Sequence, residues 1–137
     1  MTTSHTPTAP SLPVLAGVVS REDPVAVARV AAQEAARRGC GLRFLQVVPP
    51  GTTPEERAEA DELTFDAALR ALHGRSRVSF TFETVAGDPA SVLVDRSGAA
   101  SLLVVGADVP HGGPAVARWC REHAACEVLT VGGEPIP

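Results

Sequence analysis

The chain has 137 residues, enough for one domain around one core and too short for two ordinary ones. Ala and Val supply much of the apolar share, aromatics make up only 4% and tyrosine is absent, so small aliphatic side chains must build the core. The formal charge of −4 is scattered along the chain, and no Lys/Arg cluster lines a predicted face, which excludes the electrostatic footprint that nucleic-acid phosphates require.

The first residues, MTTSHTPTAPSLP, carry neither a basic n-region nor an apolar h-region. No stretch approaches the roughly 18 apolar residues that suggest a membrane span. A soluble, cytoplasmic protein with no membrane partner is expected. Cys40, Cys120 and Cys126 are odd in number and lie in aliphatic surroundings, which fits reduced, buried thiols better than a disulfide framework. Residues 1–11, rich in Thr, Ser and Pro, cannot bury enough apolar surface to offset their ordering entropy and are expected to form a mobile tail before a single domain over 12–137.

Val14–Val19 is short and almost wholly apolar, as for a strand buried on both faces of a parallel sheet. Asp23-Pro24 supplies an N-cap and a first-turn proline for a helix that Gly39 can end. Within it Arg29, Gln33 and Arg37 form a polar stripe opposite Val27, Ala28, Ala31 and Ala35. Leu42–Val48 reads as the second strand, stopped by Pro49-Pro50-Gly51. Thr53-Pro54-Glu55-Glu56 opens the second helix with a capping box, and that helix is expected to carry Leu63, Leu69 and Leu72 inward before ending near His73-Gly74.

Val78–Glu83 alternates strictly and predicts an edge strand. Asp88-Pro89 caps a short third helix that ends at Ser97-Gly98. Leu102–Val105, closed by Gly106, is the second fully apolar run and hence the second central strand. Pro114 can start a fourth helix running to about Ala124, and Glu127–Val131 is the last strand. This alternation means parallel strands joined by right-handed crossovers, an α/β, Rossmann-like open five-stranded sheet of order 3-2-1-4-5 with helices on both faces. Ligands bind such sheets at the switch point beyond the strands' C-terminal ends, here Val19-Ser20 and Gly106-Ala107.

Five stretches, in this order and spacing, resemble the universal stress protein family. VLAGVVSR from Val14 and FLQVVPP from Phe44 are similar to the family's first two strands. GDPASVLVD from Gly87 matches the Gly-x-Pro opening of its third helix. SLLVVGA from Ser101 and AVARWCREHAACEVLTV from Ala115 match its fourth strand and its last helix and strand. The resemblance covers nearly all of Val14 to Gly132. It implies the same sheet order and dimerisation through the last strand, whose apolar edge Val128–Val131 needs a partner or a cover.

ATP-binding members of that family carry an acidic residue after the first strand, a main-chain contact late in the second, and a loop Gly-x2-Gly-x9-Gly-Ser/Thr after the fourth. Here the acidic position holds Val19, and the second-strand contact falls on Val47, where backbone alone is needed. Gly106 matches the first loop glycine, Val109 stands at the second, and Pro114-Ala115 replace the final Gly-Ser in a loop shortened by about five residues. Asp108 adds a charge that repels phosphates, while Gly112 and Gly113 offer a partial cradle. No cofactor is therefore expected. The alternative is an ATP- or nucleotide-binding switch built from Val18, Val19, Val47, Gly106, Gly112 and Gly113. A second alternative is a sensor or enzyme for a small anionic metabolite, with Arg21 and His111 pairing a carboxylate or phosphate at the switch point.

Cys120, His123 and Cys126 are spaced C-x2-H-x2-C, but helical geometry puts the two cysteines about 120° apart, so no metal site is expected. His73 and His123 sit at helix C-termini, where the macrodipole favours a cation. No serine occupies a G-x-S-x-G elbow, so no catalytic residue is assigned. Asp61, Glu62 and Asp66 read as a solvated acidic face, and Trp119 as a core residue. The expected function is a non-enzymatic stress-response or regulatory domain, a homodimer acting on an unknown protein partner.

Overall fold

A computed structural model describes residues 12–19, 24–75, 77–108 and 115–132. The elements are β1 (Val14–Val19), α1 (Pro24–Arg38), β2 (Leu42–Val48), α2 (Pro54–Leu72), β3 (Phe80–Ala86), α3 (Pro89–Ser97), β4 (Leu102–Gly106), α4 (Val116–His123) and β5 (Glu127–Val131). All pair in parallel in one sheet of order β3-β2-β1-β4-β5, as the alternation predicts. The two fully apolar runs are the central neighbours, with Val14 between Leu42 and Leu102 in register. Among the described residues no helix is long and apolar enough to cross a membrane.

Period-two alternation divides the core. Val14, Ala16, Val18, Leu42, Phe44 and Val104 face α1 and α2, and the alanines of α1 bring that helix close onto the sheet. Leu15, Leu45, Val47, Leu103 and Val105 face Leu93 of α3 and Ala117 and Cys120 of α4. On this face Gly17 is a close-approach glycine, because an added Cβ would lie 2.7 Å from a methyl of Leu93 and 3.2 Å from one of Val105. At the end of α1, Gly39 takes the left-handed φ of 68° that the sequence anticipates.

Four expectations are corrected. Leu63 and Leu69 do not point inward but are 68% and 50% exposed, and α2 packs through Thr64, Ala67 and Ala68, while Leu72 does reach the core. The physical reason is a polar cluster beneath α2. Gln46, 1% exposed, donates to the Asp61 carboxylate at 2.7 Å; Thr84 donates to the same oxygen at 2.6 Å; Thr64 donates to the Gln46 carbonyl. Seating that cluster sets the helix phase, so Asp61 turns inward and leaves the solvated acidic face. The third strand begins two residues late and runs to Ala86, since Val78 is held in a turn by its amide bond to the Arg75 carbonyl and the seven residues of β2 set the register. Trp119 is 47% exposed and stacks on His123 with centroids 3.8 Å apart, outside the core.

The capping box at Thr53 is present with both of its bonds, and Asp88 caps α3 by accepting from the Ser91 amide at 2.9 Å. Glu83 of β3 receives two bonds from Arg96 of α3, at 2.7 and 3.1 Å, with Arg43 at 3.6 Å. These arginines, Arg96 first, hold the Glu83 carboxyl below the ordinary value of 4.5. A depressed folded-state pKa contributes stability that is present above the unfolded value and lost as pH falls through the folded one. Acid titration followed by circular dichroism should therefore show wild-type stability falling below pH 4.5, with a shallower fall in Glu83→Gln; equal slopes would remove Glu83 as a source.

Candidate functional site

At the C-terminal edge of the sheet a cleft is built from the ends of β1 and β2 and the turn after β3. Val19 stands in register with Val47, and both side chains point to the α3 and α4 face. With Pro49, Pro50, Gly87, Asp88 and Pro89 they line a cleft of about 500 Å³. Val18 faces the opposite core, and Gly106 pairs with Val131 outside this cleft. The walls are mostly valine and proline, whose side chains offer no hydrogen bond to a nucleoside. The single carboxylate, Asp88, is already bonded to the Ser91 amide.

Beyond β4 the chain turns through Ala107, whose amide donates to the Val131 carbonyl at 2.8 Å, and reaches Asp108. One Asp108 oxygen accepts from the Ala117 amide at 2.8 Å and the other from the Arg118 amide at 3.0 Å. Helix α4 needs this, because its own N-cap is Ala115, which has no side chain to offer. A remote carboxylate thus occupies the positive end of the helix, which favours negative charge. The sequence marks Asp108 only as a repelling charge. The usable signal is an Asp a few residues ahead of a helix whose cap position is alanine.

Gly112, Gly113, Arg21 and His111 lie outside the described residues, as do Val109 and Pro114. Cys120 is fully buried, and burial, with Asp108 and Cys126 nearby, pushes its thiol up to about 11; burial also raises that of Cys126. Among the described residues no three His, Cys, Asp or Glu groups gather as metal ligands. The His123 Nδ1 lies 3.0 Å from the Trp119 carbonyl, which satisfies a helix-end acceptor. A second cleft of about 460 Å³ lies between α3 and α4, with Asp88, Arg118, Trp119 and Glu122 on its walls.

The fold has counterparts among solved structures. A universal stress protein from Archaeoglobus fulgidus superposes with a TM-score of 0.71 at 24% identity, covering 88% of this chain and 98% of its own. The fold is that of the universal stress proteins. A universal stress protein from Archaeoglobus fulgidus in complex with dAMP gives a TM-score of 0.69. A protein of the universal stress protein family from Burkholderia pseudomallei gives 0.65 at 26% identity, covering 90% of this chain and 98% of its own. No family model matches the sequence, and no curated protein matches it. The chain is therefore similar in fold to universal stress proteins across nearly its whole length, at low identity.

Proposed function

We propose that this chain is a non-enzymatic stress-response or regulatory domain of the universal stress protein type, which binds no ATP and acts as a homodimer on another protein. The observation that carries this is the Asp108 carboxylate seated on two amides of α4. A triphosphate must displace it, and the displaced charge then repels the phosphates from close range. Val19 removes the side-chain grip on a nucleoside at the same mouth. Absence of catalysis is supported by the cleft's lining of valine, proline and a capped Asp88. Homodimerisation through Val128–Val131 is supported by the one-sided pairing of β5, with Leu129 36% exposed. Free Cys40, Cys120 and Cys126 fit a cytoplasmic setting.

The dAMP complex of the archaeal protein favours a second reading, a nucleotide-binding switch; Val18, Val19, Val47 and Gly106 would offer it backbone groups. Calorimetry with ATP and magnesium separates the two. Wild-type protein should give no heat at millimolar ATP, whereas micromolar binding would establish the switch. Asp108→Ala should cost about 1–2 kcal/mol by orphaning the Ala117 and Arg118 amides. Inorganic phosphate should restore part of that stability in the variant and none in wild type.

A further inference from the structure

All four phenylalanines of the chain join in one cluster running from core to surface. Buried Phe44 meets Phe80 edge-on at 5.8 Å, and Phe65 leans on Phe80 at 6.1 Å and on Phe82 at 5.8 Å. Phe65 is 44% exposed, and Leu69, one turn further along α2, is more so. Beside them β3 is an edge strand that carries neither proline nor lysine, the usual guards against a further strand, and the cover it receives from α2 is the Arg57 guanidinium, which donates to the Thr84 carbonyl at 2.8 Å. Its one charge, Glu83, is engaged by Arg96 and Arg43.

The charge around this shelf selects its occupant. Helix α2 carries six carboxylates against two arginines, a net charge of −4 that equals that of the whole chain. Asp61 turns inward, but Glu55, Glu59, Glu62 and Asp66 are exposed along the outer row. Neither Glu59 nor Glu62 has an ion-pair partner among the described residues. A second copy docking here would bring like charges together, and nucleic acid or an anionic membrane would be repelled.

We infer that Phe65 and Leu69, the open edge of β3 and the acidic row of α2 form one docking surface for a cationic protein segment with large apolar anchors. This rests on the proposal that the chain acts by contact with another protein. Apolar anchors would fill the shelf while lysine or arginine meets Glu62 and Asp66, the combination that gives an interface both affinity and steering.

The test uses the full chain and labelled peptides of alternating Lys and Leu, Lys and Ser, and Glu and Leu, read by fluorescence anisotropy and amide NMR shifts. The Lys–Leu peptide should bind with shifts confined to α2 and β3, and the Glu–Leu peptide should not bind. Lys–Ser should bind about tenfold more weakly. Leu69→Ser and Glu62→Lys/Asp66→Lys replace exposed side chains, so the fold is not at stake, and each should weaken Lys–Leu binding by about tenfold. Shifts on α4 or β5, or an affinity unchanged in both variants, overturn the assignment. A dimer lost in Glu62→Lys/Asp66→Lys would give the surface to a second copy instead. If no peptide binds while ATP still gives no heat, the surface is wrong and the absence of ATP binding is untouched.

Discussion

Leu93→Ala is expected to lower the unfolding free energy by about 3 kcal/mol, from lost transfer energy and the cavity left behind. Leu93 is fully buried and is the residue of α3 that rests on β1 at Gly17. The reverse change makes the same point. Gly17→Ala should cost about 1–3 kcal/mol, because its new methyl lies 2.7 Å from a methyl of fully buried Leu93, which must shift to make room. In the double variant the added methyl fills part of the cavity, so the loss should fall short of the sum by about 1 kcal/mol. Urea denaturation followed by circular dichroism measures all three, and strict additivity would show that the two residues do not share a contact.

Gln46→Leu should cost about 2–4 kcal/mol although the replacement is apolar and buried. The leucine leaves the Thr64 hydroxyl without its acceptor and takes one donor from the Asp61 carboxylate. Adding Thr64→Val removes the orphaned hydroxyl and should recover about 1 kcal/mol. A Gln46→Leu variant within about 0.5 kcal/mol of wild type would mean the cluster contributes nothing beyond packing.

The same cluster marks where the sequence is silent. Strand order, the boundaries of β1, β2 and β5, and the cap of α3 were legible because apolar runs and capping residues are local signals. The phase of α2 was not. Leucine periodicity points to Leu63 and Leu69, while the deciding partner, Gln46, lies on another strand and has no local signature. Trp119 misleads similarly, since its size suggests the core and its partner is His123 on the solvent side. At the mouth, Val19 and Val47 are named together in the sequence only through the family resemblance, and the parallel pairing of β1 with β2 sets them side by side; Asp108 reads as a charge and not as a cap, because its bonds reach nine and ten residues ahead.

The stack of Trp119 on His123 governs which optical signal is useful. It is the chain's single indole, it is half in water, and it rides on an eight-residue helix. Its emission therefore reports the fraying of one helix end, so a melting curve followed by fluorescence leads one followed by ellipticity whenever α4 loosens before the sheet opens.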